Sequence, residues 1–364
     1  MSQLEEFYRG KKVLITGHTG FKGAWMCKVL LELGAVVSGY ALNPPTNPNL
    51  FELCKLKERI HSHEGDIRNL DQLKEVFAKE QPEIVIHMAA QPRVRESYKE
   101  PVYTYDVNVM GTVNVLECVR LTDSVKSFVI VTTDKVYRNF EWERGYKEDD
   151  ILNGFDPYSN SKSCSELVTS SYKNSFFGGE SGKMDSGRVV AISTVRAGNV
   201  LGGGDFATDR IIPDCIRAVS ASKPIVVRNP YSTRPYQHVL EPVCAYLTVA
   251  MEQLKDITKA GNYNIGPADE DCLNTGELVN LFCEKWNAIR PNEAVREDKP
   301  DGGPHEAGLL KLDSTKIRET FGIKGKWHMD EVMEKIVEWN VSYLTGEDIN
   351  PVTEKQIREY IQKP

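Results

Sequence analysis

Four short runs in the first 135 residues, KKVLITG, VVSGYAL, EIVIHMAA and SFVIVTTD, are apolar and β-branched almost throughout and alternate with helical patterns. Strands apolar on both sides need cover on both sides, and strands separated by helices run parallel through right-handed crossovers. The predicted fold is α/β, a doubly wound parallel sheet of the Rossmann type. At 364 residues the chain exceeds the usual single-core domain. Its texture changes after Leu201 to glycine loops, short strands and arginine-bearing segments. The expectation is a dinucleotide-binding unit over 1–198, partly rejoined by 226–265, and a smaller substrate-binding lobe over 199–364. Asn274, with Glu277 three residues on, reads as a helix cap within that lobe.

Composition serves mainly to exclude. A net charge of −7 without a Lys/Arg cluster argues against nucleic acid, whose phosphate backbone needs a basic face. No apolar stretch approaches a membrane span, and the first residues, MSQLEEFYRGKK, lack the apolar core of a signal peptide. A cytoplasmic protein is expected. Eight cysteines without a CxxC read as reduced, mostly buried thiols. The pair His61 and His63 has no carboxylate or cysteine at ligand spacing along the chain, so no metal is expected.

Gly17-His-Thr-Gly20-Phe-Lys-Gly23 lies between the first strand and the first helix. Glycines there admit close backbone approach, and the helix amino terminus offers free N–H groups and a positive dipole end, so a diphosphate fits. An acidic residue about 20 positions on ordinarily holds the adenosine ribose diol and selects NAD. The second strand ends Gly39-Tyr40-Ala41-Leu42-Asn43, with no acid and no arginine for a 2′-phosphate. NAD is preferred here, with NADP open, and Asp66 is a candidate adenine contact.

Tyr158 and Lys162 form the second constellation. Asp156 and Pro157 read as N-cap and first helical residue, so the tyrosine enters at the positive end of a helix with the lysine one turn along the same face. A free tyrosine ionises near pH 10, and both features favour its phenolate. The same spacing at Tyr8 and Lys12 carries no chemistry, because that pair precedes the first strand. Tyr158 differs in following a strand that ends Thr132-Thr133-Asp134, where a hydroxyl can join the substrate's hydrogen bonds.

The segments GHTGFKGAW, GDIR, HMAAQPRVRESY, NVMGTVNVLE, TTDKVY, DPYSNSKSCSELVTSSY, RAGNVLGGGD, RPYQHV and PHEAGLLKLD span nearly the whole chain. Together they resemble the sugar-nucleotide 4,6-dehydratases of the extended short-chain dehydrogenase family, with the CDP-glucose branch nearest. The resemblance implies a reaction in three steps. Tyr158 takes the sugar 4-hydroxyl proton as hydride passes from C4 to the nicotinamide. The C5 proton is then removed as the 6-hydroxyl leaves as water, and the hydride returns to C6. Thr133, Asp134, Lys135, Tyr158 and Lys162 are the catalytic residues so implied, with Asp134 as elimination acid. Lys135 stands where relatives carry a glutamate base, and it reads either as that base or as a charge neutralising Asp134 or substrate phosphate.

The same resemblance places the cofactor on Gly17, Thr19, Gly20, Phe21, Lys22, Gly23, Asn43, Asp66, Ile67, Ala89, Ala90, Gln91 and Asn108, beside Tyr158 and Lys162. Arg93, Asn199, Arg210, Arg234 and His305 are the implied substrate contacts, with Glu306 and Arg95 less defined. It further implies a homodimer and a place in deoxysugar synthesis for a surface polysaccharide. A 4-epimerase also needs Tyr158 and Lys162 but no acid after the fifth strand, and an NAD-sensing binding protein needs neither, so Asp134 and Lys135 favour dehydration.

Overall fold

The computed structural model describes residues 2–178, 188–299 and 309–363. The polar stretch GGESGKMDSG after the tyrosine helix, whose glycines and serines predict a surface loop, falls from residue 179 outside the described residues. Seven parallel strands form the central sheet: β1 (Lys12–Thr16), β2 (Val36–Ala41), β3 (His61–Glu64), β4 (Ile84–His87), β5 (Ser127–Val131), β6 (Ala191–Ala197) and β7 (Asn262–Ile265). Their order is β7-β6-β5-β4-β1-β2-β3. Winding reverses between β1 and β4, and in such sheets the crevice past the carboxyl ends of those strands is where ligands bind.

Strand periodicity divides the core. Ile15, Ile86 and Val129 point to one face, with Trp25, Leu30 and Tyr246 of helices Phe21–Glu32 and Leu240–Lys255. Leu14, Val85 and Ile130 point to the other, with Leu73, Phe77, Val115 and Leu116 of helices Leu70–Glu80 and Gly111–Leu121. Each such side chain stabilises the fold by roughly 1.5–3 kcal/mol when fully buried, which is why the runs are continuous rather than alternating.

The chain leaves and rejoins this sheet twice. Ile225–Val227 pairs in parallel with Arg296–Asp298 outside it, so the return begins at helix Leu240–Lys255 and not at residue 226. Helix Ile349–Gln362 then packs back on the first-turn helix, where the buried Lys28 ammonium lies 2.6 Å from Glu354 Oε1. Asn274 and Glu277 form the reciprocal capping pair expected from their spacing. No helix among the described residues is long and apolar enough to cross a membrane.

Candidate active site

The glycine turn is built for close approach. Gly17 has φ +81°, and a Cβ on it would stand 2.8 Å from the Ala89 backbone nitrogen, so β1 and β4 hand their loops to each other without room for a side chain. Gly23 is tighter still, since its Cβ would meet the Gly17 carbonyl oxygen. Gly20 is the N-cap of helix Phe21–Glu32, with no side chain bonded to the first turn and no acid within it. The first-turn N–H groups are thus left for an anion, and the residues present fit the diphosphate of a dinucleotide. Thr19 Oγ1 donates to the Leu42 carbonyl at 2.8 Å, which ties this loop to the end of β2.

The helix carrying Tyr158 and Lys162 is Pro157–Phe176, capped by Asp156, whose carboxylate accepts from Ser159 N at 3.0 Å. Beyond β5 the chain makes one tight turn, Asp134–Val136, capped by Thr133. Thr133 Oγ1 donates to Asp134 Oδ1 at 2.8 Å, and Lys135 Nζ lies 3.5 Å from that same oxygen. Asp134 is buried, and its Oδ2 has no hydrogen-bond partner among the described residues. Burial pushes the Tyr158 hydroxyl up to about 12, against the Thr133 hydrogen bond, which pulls it down. Burial lowers Lys162 to about 8, countered by the Glu166 carboxylate, and its Nζ donates to the Val131 carbonyl at 3.3 Å. Lys22 comes down to about 7, by burial and then by the neighbouring Arg210 and Lys162 charges, against the Asp134 carboxylate, which raises it. Lys22 therefore belongs to the same cluster as the catalytic candidates. Arg210, paired with Asp205 at 2.8 Å, also lowers Tyr158, which sets its guanidinium on this site.

Other residues singled out by sequence are placed differently. Asn108, in the π-helical turn Asp106–Met110, spends its amide on Gln91 N, Gln91 O and Ser161 Oγ, so it straps the β4 loop to the tyrosine helix. Gln91 in turn donates to Thr104 Oγ1. Ile67 is buried against Gly111 as core packing. Asp66 is held below the ordinary carboxylate range by its hydrogen bonds from Arg68. Ala90 follows Ala89 in the β4 loop, half-buried. Arg93 is exposed at the start of helix Val94–Lys99, Asn199 accepts from Gln237 N through its backbone, and Arg234 is buried with Nη1 donating to the Thr233 carbonyl. His305 and Glu306 lie outside the described residues.

Four features escaped sequence reading. Glu64, at the end of β3, sits in register with Ala41 and accepts from Asn43 Nδ2 at 2.6 Å, so an acid does stand at the end of β2, contributed by the neighbouring strand. Glu80 lies 2.8 Å from both His61 and His63, the carboxylate partner that their local spacing did not reveal. Tyr246 takes a hydrogen bond from Lys22 at 3.3 Å. Glu166 and Arg196 form an ion pair, both nearly sealed from solvent, directly behind Lys162. Removing one partner of such a pair costs about 3–5 kcal/mol, because the other charge is stranded. Only the Glu166 position, one turn past Lys162 on the same helix face, carried a local signal.

A family model described as GDP-mannose 4,6 dehydratase matches residues 14–336. CDP-glucose 4,6-dehydratase of Salmonella typhimurium is 44% identical over 98% of this chain and 98% of its own length. CDP-paratose 2-epimerase of Salmonella typhi is 28% identical, covering 91% of this chain and 99% of the relative. Among solved structures, the epimerase Mth375 of Methanothermobacter thermautotrophicus superposes with a TM-score of 0.78 at 22% identity, over 98% of this chain and 97% of that one. UDP-glucose 4-epimerase of Thermotoga maritima does so with a TM-score of 0.75 at 23% identity, over 91% and 99%. These structures share the fold.

Proposed function

This chain belongs to the GDP-mannose 4,6-dehydratase family, and we propose that within it the protein converts CDP-glucose to CDP-4-keto-6-deoxyglucose and water. The observation that carries the reading is Asp134, a buried carboxyl group with one oxygen unpartnered among the described residues, 3.5 Å from Lys135 Nζ and bonded to Thr133. An epimerase has no use for an acid there, whereas elimination of the 6-hydroxyl requires one. The choice of cytidine nucleotide rests on the 44% identical relative.

The glycine turn Gly17–Gly23 would hold NAD, which when bound would supply the hydride acceptor for C4 and the hydride donor for C6, so that no external oxidant is needed. Tyr158 removes the 4-hydroxyl proton with Thr133 bonded to its oxygen and Lys162 supplying positive charge beneath. For elimination Asp134 starts as the protonated acid and gives its proton to the departing 6-hydroxyl, while Lys135 starts as the neutral amine, placed to take the C5 proton and to return a proton to C5 as hydride reaches C6. Arg210 and Arg234 pair with the diphosphate, Arg234 being pre-oriented by its buried bond to Thr233. The direct test is proton NMR of the protein with NAD and each of CDP-, dTDP-, GDP- and UDP-glucose. A 6-methyl signal with CDP-glucose alone is the expected result. A methyl with another nucleotide overturns the base assignment, and none with any overturns dehydration.

Glu64 supports NAD over NADP, since a carboxylate beside Asn43 accepts from a ribose diol and repels a 2′-phosphate. Glu64→Arg is expected to weaken NAD binding about tenfold, near 1.4 kcal/mol, and to strengthen NADP binding. Calorimetric titration with both dinucleotides checks it, and unchanged affinities would remove Glu64 from the site.

A cytoplasmic homodimer completes the proposal. All eight cysteines are unpaired, as in reducing compartments. Val102, Met110, Leu121 and Leu167 are exposed on neighbouring helical segments, Pro101–Tyr105, Asp106–Met110, Gly111–Leu121 and Pro157–Phe176, an apolar surface suited to a second copy.

A further inference from the structure

The two halves of the proposed reaction use different elements. Oxidation at C4 depends on Tyr158 and Lys162, on helix Pro157–Phe176, whereas elimination depends on Asp134 and Lys135, on the turn after β5. The same sugar must meet both sets in one pose, so something has to hold the turn against the helix.

One guanidinium, 1% exposed, reaches both. Arg196 on β6 donates Nε to Glu166 Oε1 at 2.7 Å and Nη2 to Glu166 Oε2, on the tyrosine helix one turn beyond Lys162. Its Nη1 donates to the Tyr137 hydroxyl at 2.6 Å and to the Glu148 carbonyl at 2.9 Å. Tyr137 is the residue that closes the Asp134–Val136 turn. Its ring lies between the Arg196 guanidinium, 5.0 Å from the ring centre, and the stacked ring of Tyr146 at 5.2 Å and 20°. Its hydroxyl donates onward to Asn264 Oδ1 on β7 at 2.7 Å. Glu166 also accepts from Thr132 Oγ1 at 2.6 Å, immediately before Thr133 and Asp134. Ser163 adds a second tie, donating to the Val136 carbonyl at 2.7 Å.

We propose that Arg196, Glu166 and Tyr137 are positioning residues that lock the Asp134–Lys135 turn in register with the Tyr158–Lys162 helix, so that oxidation and elimination act on one bound sugar. The proposal rests on the dehydratase reading above. None of the three faces the reacting atoms. Their effect is geometric, and a misplacement of about 1 Å in such a constellation costs on the order of 100-fold in rate. The stacked rings extend the brace outward, from Tyr146 to Trp142 at 5.4 Å and to Phe140 at 4.9 Å. The turn is thus clamped from the buried side and from the surface side.

Tyr137→Phe keeps the stacked ring but removes the oxygen that Arg196 and Asn264 share. Arg196→Lys keeps a charge for Glu166 but cannot span to Tyr137. Both variants, with NAD and CDP-glucose, should form the 4-keto sugar and accumulate reduced nicotinamide, read by its near-ultraviolet absorbance. Methyl formation should slow about 10- to 100-fold with KM little changed. A purely structural brace would lower the melting temperature and leave the ratio of reduced cofactor to methyl product as in the native chain. That outcome, or unchanged kcat in both variants, overturns the proposal. Absence of methyl product from the native chain would instead overturn the reading on which it stands.

Discussion

Tyr158→Phe is expected to slow methyl formation from CDP-glucose by about 10²–10⁴-fold while NAD still binds. The ring stays in its half-buried socket and loses only the hydroxyl bonded to Thr133, so the melting temperature should barely move. The size of the loss follows from the position of the proton. Burial holds the hydroxyl up near 12, and charge supplied by Lys162 and by the bound cofactor must bring it into working range. Lys162→Met should therefore be nearly as damaging, with rate recovering at higher pH. Lys135 separates two roles in the same assay. Arginine holds its proton at any working pH, so Lys135→Arg preserves a neutralising charge but not a base. Loss of methyl formation in Lys135→Arg assigns the C5 proton to Lys135, and retention leaves it as counter-charge to Asp134. Single-turnover methyl formation, with bound NAD measured separately, checks the set. A Tyr158→Phe protein retaining more than about a tenth of native rate would contradict the assignment.

The second large effect is acid destabilisation beginning well above the carboxylate range. His18 is lowered to about 4 and His87 and His238 to about 3, in each case chiefly by burial. His87 is wedged between Thr16 Oγ1 at 2.6 Å and Thr112 Oγ1 at 3.1 Å, and His18 Nδ1 and His238 Nε2 have no hydrogen-bond partner among the described residues. The folded-state values lie below the unfolded value near 6.5, so the unfolded chain takes up these protons first. The stability tied to the three rings is complete above about pH 6.5 and is lost as pH falls toward their folded values. With all three titrating, the slope approaches about 4 kcal/mol per pH unit. Glu80, lowered to about 2 by hydrogen bonds from His61, Ser38 and His63 that outweigh burial, adds loss only as pH falls from about 4.5 toward 2. Urea midpoints across the range between about pH 7 and 5 test this, and a flat midpoint there would show that the rings are not buried neutral. His87→Asn should remove part of the slope.

Glycine turn, capped tyrosine helix and continuous apolar strands were legible because each is a local pattern. Gly17, Gly20 and Gly23 sit in seven consecutive residues, and Tyr158 and Lys162 are one turn apart. Helix Pro157–Phe176, the capping pair at Asn274 and the parallel sheet all follow from spacing and hydrophobic period. That Ile225–Val227 pairs outside the central sheet was not legible, because it is an apolar strand like the others and periodicity does not say which sheet a strand joins.

The sequence by itself determined the local frame: a glycine turn between strand and helix, a tyrosine and lysine one turn apart on a capped helix, and an aspartate after the fifth strand, whose role as acid is what the family resemblance implies. Only the tertiary structure decided how these parts are held and charged. Glu64 reaches Asn43 across a strand pair, Lys22 reaches Tyr246 across 224 residues, and Arg196 on β6 joins Glu166 on the tyrosine helix to Tyr137 after the β5 turn. Such contacts depend on which strands are neighbours and in what register. That is settled when one sheet buries both its faces at once, and no local stretch of residues records it.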